Sequence, residues 1–511
     1  MENFKKLKES VEASYAALQP FRLAFLNAHK EYVGPLLSGD RSRGDRPINM
    51  IELGVTTYLQ KLVPRQVQCL ILTHSPALRA SANDMMLAMN LKMQEMKLSE
   101  EFERVALAAL LGVGIMKVGI REQTYSQQGG TRLSLTGPYA AAVSPTDWVH
   151  DVCALKFSEV PYCGNRYVMS LADAKQEGRF DETQRSKLQA DEPWQDADEG
   201  PEGQGTEKKR PDDFIQTVEL WDVWLPREKK IVTYASCNDA PLREVNWTGP
   251  ENGPYLMAGF HPMLKNVLPN APVNHWIAMN DLVNRLYDKC GEQASRQKTV
   301  GLAQATGKDD ANRVVASNDG DIITVLNPNA VSEMRFGGVD QNTLGFTINA
   351  QSWASYVQGN LDAIAGLNTS ADTVGQEEIV NTQAGDRVRS MQAAFITFMK
   401  AAIRDVGHWV WKDPMTEYRF IQKVENTDVE LAQTWPFQID EYGFEVDVRD
   451  GEFSAYQFDV EPYDMQDLTP GQRLQMLRDI WHRDVMPLAQ QGLQPDVMKY
   501  MKKLSRHADA P

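Results

Sequence analysis

The segment GNLDAIAGLNTSADTVGQEEIVNTQAGDRV, residues 359–388, separates two strong helical patterns. Leu361 and Ile364 end one apolar stripe, and Val388 and Met391 begin another. Between them lie Gly, Asn, Thr, Ser and Asp residues, which favour turns because their backbones or short polar side chains stabilise non-helical conformations. The sequence therefore predicts two helices joined by a polar loop.

Both flanking helices are marked by apolar residues at helical spacing. The first helix is predicted at 344–365 and the second at 387–412. Their stripes consist of Phe346, Ala350, Trp353, Val357, Leu361 and Ile364 in the first helix, and of Val388, Met391, Phe395, Phe398, Ala402, Val406 and Trp409 in the second. Another long helix is predicted at 273–298, and the intervening stretches GDIITVL and VSEMRFGG indicate a small β-containing insert at 300–343.

The rest of the chain divides into helical and β regions. Helical periodicity covers the first 120 residues and returns after Pro470, whereas β patterns dominate 131–169, about 214–268, and 417–461. The segment 181–213 has eleven acidic and five basic residues, a local net charge of −6. Because it has few apolar residues, we expect it to be solvated and residues 188–213 to be disordered. The chain is predicted to be α+β, with several domains for its 511 residues.

Composition excludes several classes of protein. The formal net charge of −16 argues against a protein that binds tightly to the surface of duplex DNA. Such affinity comes from Lys and Arg side chains that neutralise phosphates. The five cysteines are scattered without a C-x-x-C pair, so neither a disulfide framework nor a zinc site is indicated. No apolar run is long enough to span a bilayer, and the first helix lacks the apolar centre of a secretory signal. We therefore expect assembly in a cytoplasm, without membrane contact.

Motifs for catalysis are weak. The stretch GLAQATGKDD, which begins at Gly301, has the wrong glycine spacing for a phosphate-binding loop, and Asp309 replaces the hydroxyl residue that would hold magnesium. His150 lies between Asp147 and Asp151, which is compatible with a metal ligand but more typical of a polar strand end. The sequence therefore predicts no catalytic residue, no cofactor and no metal site, and indicates a protein that is not an enzyme.

The order of these elements resembles the portal (head-to-tail connector) proteins of tailed bacteriophages over essentially the whole chain. The local pieces with the closest likeness are ALLGVGIMKVGI (109–120), VSPTDWVHD (143–151), VELWDVWLP (218–226), NDLVNRLYDK (280–289) and LDAIAGLN (361–368). Two features depart from the family pattern. NTQAGD (381–386) stands where many portals have a Thr-Ala-Thr-Glu-like stretch, and no long helical barrel follows residue 505.

The resemblance implies the phage portal fold, with its regions assembled as a ring. The regions are an outer wing, a two-helix stem, a clip, a tunnel loop, a spine helix and a short helical crown. By that likeness the wing comprises 1–270 and 413–465, the stem 271–299 and 344–365, the clip 300–343, the tunnel loop 366–386, the spine 387–412, and the crown 466–511.

The same resemblance implies a ring, usually of twelve subunits, at one capsid vertex of the virion. Double-stranded DNA would be packaged and ejected through it. The expected partners are the terminase large subunit, the major capsid and scaffolding proteins, and head-tail adaptor proteins. Two alternatives stay open, namely another structural protein of the virion, such as an adaptor or tail-hub subunit, and a nucleotide-dependent enzyme.

The predicted channel surface is polar but uncharged. From Gln341 through Leu361 there is no charged residue, and a helix of about 22 residues is roughly 33 Å long, beside about 20 phosphates of a duplex. Twelve copies of −16 give −192, which also discourages sticking. We expect DNA contacts from Asn368, Thr369, Ser370 and Thr373 in the loop, and from Asn349, Gln351, Ser355 and Gln358 on the helix. The residues expected to bind an adaptor are Lys308, Arg313, Glu333 and Arg335.

Overall fold

A helical N-terminal region precedes the sheets. The computed structural model describes residues 2–34, 48–64, 67–126, 132–190, 216–303, 308–317, 324, 331–359, 374–413, 417–423, 430–439 and 445–460. Within these residues the first five α-helices are α1 (Glu2–Ala17), α2 (Gln19–Val33), α3 (Met50–Leu62), α4 (Arg79–Glu95) and α5 (Leu98–Leu111). Helix α3 begins where the Asn49 side chain accepts a hydrogen bond from the backbone N–H of Glu52, which satisfies an otherwise unpaired donor. Helices and antiparallel sheets together confirm the predicted α+β class.

Two antiparallel sheets follow the first helices. The strands and short helices of this region are β1 (Cys69–Thr73), β2 (Gly114–Ser126), β3 (Arg132–Val143), β4 (Trp148–His150), β5 (Cys163–Ser170), α6 (Leu171–Gln176), α7 (Glu182–Arg185), β6 (Thr217–Leu225), β7 (Lys230–Ala235), β8 (Arg243–Asn246) and β9 (Tyr255–Ala258). One sheet has the order β3-β2-β9, and the other is a five-stranded meander in the order β4-β5-β6-β7-β8. The N-terminal helix α1 packs on this meander through residues such as Val11.

The segment predicted to be solvated from residue 181 is ordered at its start. Asp181 caps α7, and Leu188 is buried in a cluster with Phe180 and Leu171. Phe180 and Leu188 pack in the same cluster as Val218 and Leu220 of β6. The overall acidic composition of the segment does not indicate this contact. Residues 191–213, which make up most of the segment predicted to be disordered, lie outside the described residues.

A largely buried ion pair joins the two sheets. The Lys117 ammonium on β2 lies 2.6 Å from Oδ2 of Asp222 on β6 and donates to Oδ1 of Asn165 at 3.1 Å. Thr233 donates to the other Asp222 oxygen at 2.6 Å, and Tyr255 donates to Asn165 at 2.7 Å. Burial opposes the charged form of Lys117, but the Asp222 carboxylate together with the Tyr255 and Tyr139 hydroxyls outweighs it, so the pKa of Lys117 is raised. The Lys117 ammonium and both Asp222 oxygens therefore have partners. Such partners offset the cost of removing the two charges from water.

A long helix, an insert and a second helix come next. These elements are α8 (Pro272–Ser295), β10 (Lys298–Ala303), α9 (Lys308–Ala316), β11 (Val331–Phe336) and α10 (Gln341–Val357). Helices α8 and α10 pack antiparallel, because Tyr287 contacts Gln351 whereas Cys290, further along α8, contacts the earlier residue Thr347. Strands β10 and β11 form an antiparallel pair between them. The prediction of a helix at 344–365 was wrong at its C-terminal end, since α10 ends at Val357.

The longest helix among the described residues, α11 (Val374–Lys412), begins before the predicted start at residue 387. Residues 374–386, predicted to belong to the polar loop, are therefore helical. The stretch from Gln376 to Ala384 consists mainly of residues with good helix propensity, which outweighs the neighbouring glycines at 375 and 385. The apolar stripe predicted for this helix is confirmed, because its members are all buried: Val388, Met391, Phe395, Phe398, Ala402, Val406 and Trp409.

Short strands close the described part of the chain. They are β12 (Tyr418–Lys423), β13 (Glu430–Trp435), β14 (Phe437–Ile439), β15 (Glu445–Asp447) and β16 (Tyr456–Val460). Strand β16 pairs antiparallel with β1, so that Cys69 lies opposite Val460. Helix α11 packs against α3, the three-stranded sheet and β16. The helical region predicted at 466–511 lies outside the described residues.

Candidate nucleic-acid interface

The side of α10 that faces the chain interior is made of small residues. Ala350 and Ala354 are fully buried, and they form a cluster with Val283 on α8 and Met50 at the start of α3. Small side chains let two helices approach closely. The contact therefore fixes which side of α10 is hidden and which side remains open.

Two buried asparagines hold α3 against α8. Asn280 accepts a hydrogen bond from the backbone N–H of Met50 at 3.3 Å, and Asn284 accepts one from the N–H of Ile48 at 3.4 Å. The Asn284 amide also donates to the carbonyl oxygen of Asn280 at 2.9 Å. The bond from Met50 occupies a donor in the first turn of α3 that has no partner within the helix, and the bond from Ile48 holds the residue before the N-cap. The supporting surface beneath α10 is thereby built from two helices, α3 and α8.

The C-terminal end of α10 is capped by side chains from two other helices. The Tyr58 hydroxyl donates to the carbonyl oxygen of Gln358 at 2.5 Å, and the Arg387 guanidinium donates to that of Val357 at 3.0 Å. Burial raises the pKa of Tyr58, with Arg387 opposing, so the hydroxyl keeps its proton at neutral pH. Gly359 has φ +92°, and a Cβ there would lie 2.6 Å from the Tyr58 oxygen. The chain therefore turns sharply at this glycine, which ends the helix.

Two residues predicted to contact DNA are buried instead. Ser355 is 5% exposed and Gln358 is fully buried, so neither side chain faces open space in the chain. Gln358 fits because Gly54 has no side chain; a Cβ at that glycine would lie 2.8 Å from Oε1 of Gln358 and 3.2 Å from the Trp276 ring. Ser355 and Gln358 are therefore buried within the chain and do not lie on the exposed surface where they were predicted.

The other two helical candidates are exposed. Asn349 lies on the open side of α10, where Ser352 and Tyr356 are exposed as well, whereas Gln351 is exposed at the edge of the contact with α8. Gln351 is oriented by its bond from Tyr287, at 3.0 Å. Since α10 contains no charged residue, this open side offers only neutral polar and apolar groups.

The open side of α8 has a different character. It exposes charged residues along its second half, namely Arg285, Asp288, Lys289 and Glu292. Charged side chains of both signs are typical of a helix surface in contact with water. The two packed helices thus present unlike surfaces, charged on α8 and uncharged on α10.

The remaining predicted site residues are only partly described. Four of them, Asn368, Thr369, Ser370 and Thr373, lie outside the described residues. Lys308 and Arg313 are exposed on α9. Glu333 and Arg335 lie on β11, opposite Gly301 and Thr299 of β10. The structure thus places all four residues predicted to bind an adaptor in the insert between α8 and α10.

Helix α10 exposes several large apolar residues. Phe346 and Trp353 are 43% and 55% exposed, although the predicted stripe placed them with Ala350 on one apolar face. Leu344, Ile348 and Tyr356 are exposed too. Because α8 lies close to α10, only small residues such as Ala350 and Ala354 fit on the buried side of α10, and the large apolar residues are exposed. The lack of charge along α10 was the sequence signal that could have marked them as a contact surface.

His150 behaves as a buried neutral group. It ends β4, and its Nδ1 accepts a hydrogen bond from the Trp148 indole at 3.2 Å. Burial lowers the pKa of His150 to about 4, with Asp151 opposing. Among the described residues no cluster of three or more metal-ligating side chains occurs. The polar strand end is therefore the interpretation of His150 that its contacts favour.

Comparison with known proteins adds no assignment. No protein-family model matches this chain, and no curated protein matches it. In the part of the chain that the structure describes, no helix is both long enough and apolar enough to cross a bilayer. The order of the elements and the surface of α10 are therefore the observations from which a function is inferred.

Proposed function

We propose that this chain is the subunit of a phage portal, a ring at one capsid vertex through which double-stranded DNA is packaged and ejected. The observation that supports this most is the uncharged open side of α10, backed by a helix whose own open side is charged. The order of elements, with an insert between two packed helices and a long helix after them, supports it as well.

A DNA conduit requires weak contact with phosphates. Helix α10 has 17 residues, which corresponds to about 26 Å. About 15 phosphates of a duplex lie beside that length, at one per ~1.7 Å. If each of about twelve subunits placed one cation on them, the salt dependence would approach a slope of about −11, typical of a tight complex. Exposed Asn349 and Ser352 avoid this outcome, since neutral side chains touch a duplex without holding its phosphates.

The proposal assigns roles to the other regions by the same likeness. The insert between α8 and α10, with exposed Lys308 and Arg313, would meet head-tail adaptors and the terminase large subunit. The sheets and the N-terminal helices would contact the capsid and scaffolding proteins. Twelve copies would form the ring, and the chemical work of packaging would belong to the motor and not to this chain.

Electron microscopy of the purified protein tests the architecture. End-on views are expected to show a ring with a central hole. A homogeneous population of 57.5 kDa monomers at high concentration and in the presence of scaffolding protein would contradict the proposal.

A packaging reaction tests the channel surface. The variant Asn349→Lys adds one cation per subunit to the open side of α10, whereas Ala278→Lys adds one to the exposed surface of α8. We expect stalled packaging with Asn349→Lys, partly relieved by added salt, and normal packaging with Ala278→Lys. Equal, undiminished packaging by both variants would mean that α10 does not face the DNA.

A further inference from the structure

Four side chains meet between the two sheets as two cross-strand pairs. In the three-stranded sheet, Lys117 of β2 lies opposite Tyr255 of β9. In the five-stranded sheet, Asn165 of β5 lies opposite Asp222 of β6. Residues directly opposite each other on antiparallel strands lie on the same face of their sheet. The two pairs therefore meet face to face, and their contacts connect β2 to β5 and β6.

The side-chain carbonyl group of Asn165 accepts hydrogen bonds from two donors at once. Its Oδ1 accepts one from the Lys117 ammonium at 3.1 Å and another from the Tyr255 hydroxyl at 2.7 Å. Its Nδ2 donates to the carbonyl oxygen of Arg166 at 3.1 Å, which fixes the plane of the amide. Donors on a carbonyl oxygen stabilise the negative charge that develops there when a nucleophile attacks the carbon. The Cγ atom of Asn165 is therefore a polarised electrophile.

Lys117 offers a nucleophile, and Asp222 offers a base beside it. Asp222 Oδ2 lies 2.6 Å from Nζ of Lys117, so one proton transfer converts the ion pair into a neutral amine and a carboxylic acid. A neutral pair is tolerated more easily than a charged one away from water, and the rings of Tyr167 and Tyr255 lie 5.7 Å and 5.5 Å from Nζ. Because the Asp222 carboxylate and the Tyr255 and Tyr139 hydroxyls raise the pKa of Lys117 against the effect of burial, the neutral amine is the minor form. A reaction through it is slow, which suffices for a step that occurs once in each chain.

The Lys117 nitrogen lies close to the carbon that it would attack. A C=O bond is about 1.2 Å long, so Cγ of Asn165 lies within about 4.3 Å of Nζ. Reacting atoms in a near-attack geometry are about 3–3.5 Å apart, so a shift of about 1 Å in these side chains is enough. Asn165 and Tyr255 are only 7% and 2% exposed, which limits competition from water at Cγ.

We infer that Lys117 and Asn165 become joined by an isopeptide bond, which the folded chain forms without another enzyme. Nζ attacks Cγ, and the Tyr255 hydroxyl stabilises the oxyanion of the tetrahedral intermediate. Asp222 removes two protons from Nζ in turn and passes both to Nδ2. The Cγ–Nδ2 bond breaks, and Nδ2 leaves with its bonding electrons as an ammonium ion. One C–N bond forms and one breaks, so the step needs no oxidant, reductant or cofactor.

The bond ties the two sheets together covalently. It links β2 to β5 at positions 48 residues apart, and such a link restricts the unfolded chain as a disulfide does. Reducing agents do not cleave an amide, so this link persists where disulfides do not. The inference goes beyond the proposed function and does not rest on it.

Mass spectrometry of the denatured protein tests the bond. The parent protein, kept folded at neutral pH and then denatured, should be lighter than its sequence mass by one ammonia molecule. Trypsin should release a branched peptide in which residues 105–121 are joined to residues 157–166, without cleavage after Lys117. A parent protein that keeps its full sequence mass after prolonged incubation overturns the inference. Ammonia loss that maps elsewhere, such as to a succinimide at Asn252–Gly253, overturns it as well.

Variants test the role of each group, and circular dichroism confirms that they are folded. Asp222→Asn keeps the shape of the side chain but removes the base, and Lys117→Met removes the nucleophile, so both should keep their full sequence mass. Tyr255→Phe should form the bond roughly a hundredfold more slowly, because the oxyanion loses a donor. Lys230→Met is the matched control, since Lys230 pairs with Glu244 at 4.0 Å and both are well exposed. It should lose ammonia as the parent does. Ammonia loss at the parent's rate from Asp222→Asn or Lys117→Met overturns the inference, and an unchanged rate in Tyr255→Phe overturns the role of that hydroxyl.

Discussion

The Tyr58 hydroxyl and the Gln358 carbonyl oxygen, three hundred residues apart in the chain, are joined by a hydrogen bond of 2.5 Å. The bond connects α3 to the last turn of α10 at a point where both residues are fully buried. It therefore sets where the helix ends and where the chain departs toward α11.

Tyr58→Phe is expected to lower the free energy of unfolding by about 1–3 kcal/mol, because the carbonyl oxygen of Gln358 would stay buried without its donor. Denaturant titration at fixed protein concentration measures this. Tyr287→Phe is the matched control, since its bond to Gln351 is exposed and should cost less. Equal losses for the two variants would contradict the role assigned to Tyr58.

The Lys117–Asp222 pair should behave as one unit. Asp222→Leu leaves the Lys117 ammonium largely buried without its partner, and we expect a loss of about 3–5 kcal/mol in the free energy of unfolding. The double variant Lys117→Met with Asp222→Leu should lose much less than the sum of the two single changes, because no charge is left unpaired. A double-mutant cycle by denaturant titration checks this; additive losses would mean that the two side chains act independently.

Asp405 should make the protein less stable as the pH rises. Burial raises the pKa of this carboxyl to about 7, with Arg404 opposing, and its Oδ2 has no hydrogen-bond partner among the described residues. Between about pH 4 and 7 the unfolded chain loses this proton while the folded chain keeps it, so the free energy of unfolding falls across that window. Above about pH 7 the carboxyl is ionised in both the folded and the unfolded chain, so the free energy of unfolding falls no further.

The test for Asp405 is a pH series with Asp405→Asn. At pH 8 the variant should exceed the parent protein in stability by up to about 4 kcal/mol, from roughly three pH units at ~1.4 kcal/mol each. Near pH 4 the two proteins should be similar, since the parent carboxyl is neutral there. Parallel stability curves from pH 4 to 8 would argue against a buried, protonated Asp405.

His150 should lower the stability of the protein as the pH falls, the opposite of the effect of Asp405. Its pKa is lowered from 6.5 to about 4 by burial, so the unfolded chain takes up a proton at a pH where the folded chain does not. The free energy of unfolding should therefore fall as the pH drops from 6.5 to 4. His150→Gln keeps an acceptor near the Trp148 indole and should reduce that loss. Thermal unfolding at pH 7.5 and pH 5 compares the variant with its parent, and equal acid-induced losses would contradict this assignment.

Strong local periodicity explains what could be predicted of the fold. The stripe from Val388 to Trp409 follows the period of an α-helix, and the same residues face the interior because one continuous surface is buried along the helix. Alternating apolar residues likewise predicted the β regions. Such patterns depend only on neighbours in the chain, so the sequence alone reveals them.

Contacts between distant segments explain what could not be predicted. Ala350 and Ala354 are buried, whereas Phe346 and Trp353 are exposed, because α8 packs close to α10. The sequence of α10 alone does not indicate where α8 packs. Gln358 is buried because Gly54, on another helix, leaves room for its amide. Of the four residues predicted for the helical part of the candidate site, Ser355 and Gln358 are buried and Asn349 and Gln351 are exposed.

The pairing of β1 with β16 has a consequence for synthesis on the ribosome. Cys69 lies opposite Val460, so strand β1 acquires its partner only after nearly four hundred further residues have been made. At about 5–20 residues per second, that interval is roughly 20–80 s. Throughout it, β1 presents an unpaired edge, which other nascent chains can bind. Slow translation downstream of β1 should therefore increase aggregation of this protein, and chaperones that hold extended segments should reduce it.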